Sequence, residues 1–211
     1  MAKTDTHAEE TRIWAAGEEL RVVEAEGGKP RIEGLAAPYG RLSEDLGGFR
    51  ERFLPGAFTA ALQRTEQARS DPSLRDARAD VEHDGRVIAR TSAGTLRFSE
   101  DSRGLWASLD VPDTTWGRDV LEDVRTKNLN GMSISFLRDG TEAQFHHEGG
   151  QVVREVSVAP LTAVTLCAYP AYTATVNTLT IRSLDQFRAD QQASLKMRRR
   201  RLDLAAAECW R

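Results

Sequence analysis

The 211 residues are enough for one compact domain with tails and too few for a second full domain. With 29 Lys and Arg against 32 Asp and Glu, a formal net charge of -3, the chain does not have the balance of a mainly electrostatic nucleic-acid binder, so any basic region is local. Cys167 in an apolar run and Cys209 beside the C-terminus argue against a disulfide framework and fit a reducing compartment, and no apolar stretch approaches the roughly 18–20 residues of a membrane helix. The polar start lacks a signal-peptide core, so a soluble, unexported protein is expected.

In chain order, residues 1–12 form a polar segment with little to bury, which predicts a flexible N-terminal tail. Short apolar groups between residues 13 and 39, broken by Gly27, Gly28, Pro30 and Gly34, predict an opening hairpin. Pro55 suits a first helical turn, and Phe58 and Leu62 stand one turn apart behind it. The charged stretch 64–80, with Asp71-Pro72, reads as an exposed loop. Residues 87–89, 95–98 and 105–111 read as an antiparallel meander. Trp116, Val120, Leu121 and Val124 recur at helical spacing, with Thr114 or Thr115 as cap and Gly131 as breaker. Residues 132–137 alternate, so Met132, Ile134 and Phe136 share one face, and Ser133, Ser135 and Leu137 the other. A polar hairpin tip over 139–151, holding His146 and His147, leads to strands 152–158 and 161–168. From residue 183 the chain is a charged tail or extended helix carrying the basic run 198–201. Many strands with a few inserted helices predict a mainly β, α+β domain over residues 13–182, closed or nearly closed into a barrel.

A hydroxyl becomes a useful nucleophile when a neighbouring base takes its proton, and neutral imidazole suits that role near neutral pH. His7 lies in the tail and His146 and His147 on the hairpin tip, leaving His83 as the histidine beside framework. On spacing alone His83-Asp84-Gly85 reads as a turn, and Ser133 and Ser135 as ordinary strand-face residues. His146-His147 with Glu148 could suggest a metal site, but adjacent strand residues point to opposite faces, so a surface hairpin is the better reading. Cys167 reads as core packing rather than as a thiolate nucleophile. The run 198–201 reads as a solvated charged face, with an acidic scaffold segment or nucleic acid as the alternative.

Several segments, in order, resemble the tailed-phage (caudoviral) prohead protease family. They are Gly34-Leu35-Ala36-Ala37-Pro38-Tyr39, Leu42 to Glu51, Leu54-Pro55-Gly56-Ala57-Phe58, His83-Asp84, Ser92 to Arg97, Glu100 to Leu105, Pro112-Asp113-Thr114, Gly131-Met132-Ser133-Ile134-Ser135-Phe136, and Val164-Thr165 through Tyr172. The resemblance implies a helix-decorated antiparallel β-barrel of the herpesvirus assembly-protease type. It also implies Ser133 as nucleophile and His83 as general base, where alternation by itself leaves Ser135, about 6.6–7 Å away on the same face, as an alternative. Where the family has Leu-x-Glu-Val-Ser, this chain has Leu161-Thr162-Ala163-Val164-Thr165, so the third catalytic residue is sought elsewhere: Glu155 first, then Asp84 or His147. Oxyanion donors, whether backbone N–H groups or Arg154, stay unassigned.

The implied function is a serine endopeptidase without cofactor or metal. It processes the scaffold and major capsid protein precursor, and its own tails, inside the assembling prohead in the bacterial host cytoplasm. Self-association is implied by the herpesvirus relationship, and neither membrane nor nucleic acid is an expected partner. The rival reading is an inactive protease-fold scaffold or capsid assembly factor, since a fold does not guarantee chemistry. A small-substrate hydrolase is disfavoured because no Gly-x-Ser-x-Gly elbow is present.

Overall fold

Apolar alternation and turn residues divide the chain into strands and helices in the computed structural model, which describes residues 9–14, 20–24, 29–71, 74, 76–168 and 178–208. In chain order the elements are β1 (Glu9–Trp14), β2 (Arg21–Glu24), β3 (Pro30–Pro38), β4 (Arg50–Phe53), α1 (Thr59–Gln67), β5 (Arg78–Val81), β6 (Val87–Arg90), β7 (Leu96–Asp101), β8 (Gly104–Asp110), α2 (Thr115–Arg125), β9 (Gly131–Leu137), β10 (Glu142–Glu148), β11 (Gln151–Val158), β12 (Leu161–Cys167) and α3 (Thr178–Glu208). Two units are distinguished, residues 1–175 and 176–211. The second holds α3, whose side chains from 185 to 200 are largely exposed.

The expected α+β composition is present, but the expected barrel is not. The strands form three sheets, ordered β1-β9-β12-β5-β6, β10-β11-β4 and β2-β3-β8-β7. Closure requires the end strands of one sheet to pair with each other. Here β1 and β6 end the first sheet without doing so, and β6 and β7, expected in one meander, part into different sheets across the turn at residues 91–95. Nor is the pairing antiparallel throughout, because β5 runs parallel to β12 and β4 parallel to β11.

Three boundaries also differ from expectation. Residues 9–12, expected in the tail, belong to β1, because Arg12 and Glu10 find buried partners there. The expected loop 64–80 gives up its ends to α1 and to β5, which buries Ala79 and Asp80. His146 and His147 lie within β10 rather than at a tip, because Gly149 and Gly150, with φ of 57° and 79°, make the tight turn by themselves. The opening hairpin forms as β2 and β3, with Val22 opposite Ile32. α2 starts at the Thr114 cap, whose Oγ1 accepts the Gly117 N–H at 3.0 Å, and buries Val120, Leu121 and Val124. α1 lacks a side-chain cap of its own. Glu100 of β7 accepts the Phe58 N–H (3.1 Å) and the Thr59 hydroxyl (2.8 Å) in its place.

The core lies between the sheets. β3 crosses β9 closely because Gly34 has no side chain, and a Cβ there would stand 3.0 Å from Met132 Cε. Phe53 of β4 packs on Phe58 (5.0 Å between centroids) and edge-on to Phe136 of β9 (5.6 Å), joining the second sheet to the first. On the same side of β1 lies a buried charge quartet. Arg12 grips Glu51 through Nε (2.7 Å) and its terminal nitrogen (3.2 Å) and bonds Glu10 (2.6 Å), while Arg154 bonds Glu10 (2.8 Å) and Glu51 (2.5 Å). Burial pulls the Arg12 pKa down, but Glu51 and Glu10 outweigh it and hold the guanidinium above its ordinary value.

Two cations and two anions make the quartet neutral only while it is complete. We expect Glu51→Gln, which leaves two buried guanidiniums sharing the single carboxylate of Glu10, to destabilise the protein by about 3–5 kcal/mol, read as a lower denaturant midpoint at unchanged slope. Glu148→Gln, which removes one exposed partner of Arg52, should shift it far less.

Candidate active site

β9 is flanked by β1 and β12, and register fixes what its side chains meet. Ser133 stands opposite Ile13 on one side and Thr165 on the other. Its neighbours Met132, Ile134 and Phe136 point into the core and are fully buried, which sends the Ser133 hydroxyl to the other face. β5 pairs with β12 so that Asp80 stands opposite Thr165, and the three polar residues line up across adjacent strands.

The chain leaves β5 through a strained turn. Glu82 and His83 have φ of 52° and 56°, a left-handed conformation that residues with a Cβ adopt only when their surroundings over-determine it. Those surroundings are visible: the Glu82 N–H donates to Leu166 O (2.9 Å), the Glu82 carboxylate accepts the Ala168 N–H, and the Asp84 N–H donates to Val81 O (3.1 Å). Asp84 Oδ1 accepts the Arg86 N–H (2.7 Å), and the Arg86 guanidinium lies 4.0 Å from the Trp116 ring centre. The turn is thereby tied to β12 and α2.

His83 Nε2 lies 2.9 Å from Ser133 Oγ, and His83 Nδ1 lies 3.3 Å from Thr165 Oγ1. Thr165 Oγ1 in turn donates to Asp80 Oδ1 at 2.5 Å, and Asp80 Oδ2 is 3.6 Å from Arg78 Nε. Ser133, Thr165 and Asp80 are buried while His83 is exposed, so one side of the imidazole faces solvent and the other a buried polar file. Ser133 itself has no exposed surface. The arrangement can pass a proton from a hydroxyl to an imidazole nitrogen at hydrogen-bond distance.

The other residues singled out in the sequence lie elsewhere. Ser135 pairs with Thr11 of β1 (Oγ–Oγ1 3.2 Å) and not with His83. Glu155, the expected third member, bonds Arg52 (2.8 and 2.5 Å) and lies 3.8 Å from His146 Nδ1, on the sheet of β10, β11 and β4; no hydrogen bond or ion pair joins it to His83. Asp84 caps its own turn, His147 stands opposite Val152, and Arg154 belongs to the charge quartet. Burial, with Glu82 nearby, pushes the Cys167 thiol up to about 12, which keeps it protonated at neutral pH. His7, Cys209 and residues 169–172 fall outside the described residues. Sequence reasoning missed Thr165 and Asp80. Period-two alternation along residues 161–168 could have put Thr165 on the serine face, but nothing marks the four residues of β5 as a strand within a charged run.

Asp76 holds the entrance to β5. Its carboxylate accepts the Thr91 hydroxyl, the Ser92 N–H (2.9 Å) and hydroxyl (2.7 Å), and Arg90 Nε (2.7 Å). Burial raises its pKa, but the bonds from Thr91, Ser92 and Arg90 prevail and lower it from 3.8 to about 2. A depressed carboxylate contributes stability that is complete above its unfolded value and lost as pH falls through its folded one. The Asp76 contribution is therefore present above about 3.8 and disappears toward pH 2. Melting temperatures measured against pH should show Asp76→Asn less stable than the wild type at neutral pH, with the gap closing over that window.

Among the described residues no cluster of three or more His, Cys, Asp or Glu side chains is arranged to hold a metal ion, and no helix is long and apolar enough to cross a membrane. Residues 18–190 match the family model described as caudovirus prohead serine protease. Among solved structures, the chain is similar to one described as the bacteriophage T4 capsid assembly protease, gp21, with 13% identity and a TM-score of 0.49 over 77% of this chain and 98% of that one. The search of curated proteins found no match.

Proposed function

The chain belongs to the caudovirus prohead serine protease family, and we propose that it is a serine endopeptidase with Ser133 as nucleophile and His83 as general base. The observation that carries this reading is the 2.9 Å approach of His83 Nε2 to Ser133 Oγ, between residues 50 positions apart in sequence. As Ser133 Oγ bonds to the scissile carbonyl carbon, its proton passes to Nε2. The imidazolium then protonates the leaving amine as the C–N bond breaks, giving an acyl-enzyme and a free N-terminus. Water attacks the ester, gives its proton to Nε2, and the proton returns to Ser133 as the acid product leaves. Because Ser133 is covered, substrate engagement has to uncover its hydroxyl. The substrates proposed are the scaffold and major capsid protein precursor and the chain's own tails, inside the assembling prohead in the host cytoplasm.

Intact masses followed over time, with and without capsid precursor, test this reading. We expect Ser133→Ala to abolish cleavage, His83→Ala to slow it by about 10²–10⁴-fold, and Ser135→Ala to leave it near wild type. Loss in Ser135→Ala but not in Ser133→Ala would move the nucleophile. A serine-directed phosphonate should label the wild type and not the His83→Ala variant. An assembly-competent sample that neither cleaves nor labels would make the chain an assembly factor instead.

A further inference from the structure

We propose that Thr165 and Asp80 are positioning residues for His83: together they fix which imidazole nitrogen carries the proton. The proposal rests on the reading of Ser133 and His83 as nucleophile and base. A carboxylate only accepts, so the single Thr165 hydroxyl proton is committed to Asp80 Oδ1 at 2.5 Å. Thr165 Oγ1 then offers only lone pairs to His83 Nδ1, 3.3 Å away, and that contact is a hydrogen bond only if Nδ1 carries the proton. Neutral imidazole has one N–H, so Nε2 is left with its lone pair, and Nε2 is the nitrogen 2.9 Å from Ser133 Oγ. The opposite tautomer would set two acceptors against each other at Thr165, and would make the Ser133 hydroxyl the acceptor of the Nε2 proton, with no lone pair left at Nε2 to take its own.

Burial gives this logic its force. Thr165 and Asp80 are 1% and 3% exposed, so bulk water does not readily replace either bond. The Asp80 carboxylate reaches the base through a hydroxyl rather than directly. Ala163, the other β12 residue on this face beside the serines, has no polar group to offer. Arg78 Nε, 3.6 Å from Asp80 Oδ2, holds the carboxylate from outside without contacting the imidazole. Sequence separation explains why the file is hard to recognise: Asp80 and Thr165 meet only because β5 joins β12 in parallel.

The test reads the tautomer directly. In the full-length protein labelled with ¹⁵N, two-bond correlations of the His83 ring report which nitrogen is protonated, and precursor cleavage is measured on the same samples. Nδ1–H is expected in the wild type and in Thr165→Ser, which keeps the hydroxyl. In Thr165→Val and in Asp80→Ala, Nδ1 should lose its exclusive hold on the proton and kcat should fall by tenfold or more, with Thr165→Ser restoring both. Asp80→Asn, which keeps an oxygen acceptor, should keep Nδ1–H, and Thr165→Val, close to threonine in shape, covers the case in which Asp80→Ala does not fold. An unchanged Nδ1–H signal with unchanged cleavage in folded Thr165→Val would overturn the proposal and leave Ser133 and His83 in their roles. A wild type that shows the Thr165-dependent tautomer and cleaves nothing would overturn the protease reading while the positioning role stands.

Discussion

Everything at the candidate site depends on the register of β9 between β1 and β12. Side chains alternate across a strand, so a slip of one residue would turn Ser133 into the core and bring Met132 or Ile134 out. The large buried side chains of Met132, Ile134 and Phe136 oppose that slip, since three hydrophobic groups would leave the core together. The same register fixes Thr165 opposite Ser133, and the parallel pairing of β5 then fixes Asp80 opposite Thr165. Three strands from distant parts of the chain thus supply neighbouring hydroxyl, hydroxyl and carboxylate.

His83 is the one member of this file that does not come from a strand. A strand residue beside Asp80 would project straight above or below the sheet, whereas the turn after β5 carries the imidazole back over the serine face. That path needs two successive left-handed residues, at an energetic cost, and the bonds from Leu166, Ala168 and Val81 offset it. The strain is local and lies next to the chemistry. An exposed imidazole over a fully buried serine leaves the hydrogen bond between them formed while the hydroxyl itself is covered; on the proposed reading, the proton path is organised before substrate arrives.

Much of this was legible in the residues, and the parts that were not have physical reasons. Alternation from 132 to 137 separated the serines from the core residues, and helical spacing from 116 to 124 found α2 with its Thr114 cap. Alternation could not choose between Ser133 and Ser135, because strand period treats them alike; contact with His83 or with Thr11 distinguishes them, and both contacts are long-range. Glu155 was a reasonable candidate as an acid on a nearby strand, but Arg52, which also pairs with Glu148, draws it into a surface ion pair on another sheet. Asp80 was read as loop because charge density in a window says nothing of which single charge will be covered. The barrel failed for a similar reason: strand count is local information, while closure depends on whether the last strand reaches the first.

The buried charge quartet bears on register more than on net stability. Hydrophobic residues of similar volume in place of a buried ion cluster are often neutral or stabilising, so Glu10, Arg12, Glu51 and Arg154 need not add much to the folding free energy. Their effect appears in the alternatives. β1 is an edge strand, and nothing in its pairing with β9 alone distinguishes the observed register from one displaced by a residue. Displacement would carry Glu10 and Arg12 to the face now occupied by Thr11, leaving buried Glu51 and Arg154 with only each other, a loss of charged hydrogen bonds that an apolar contact could not impose with the same selectivity. The same step would put Thr11 away from Ser135. An ion cluster on one side of β1 therefore sets which hydroxyl lies beside which serine on the other, and keeps Ser135 engaged by Thr11 while Ser133 remains opposite Thr165 and beneath His83.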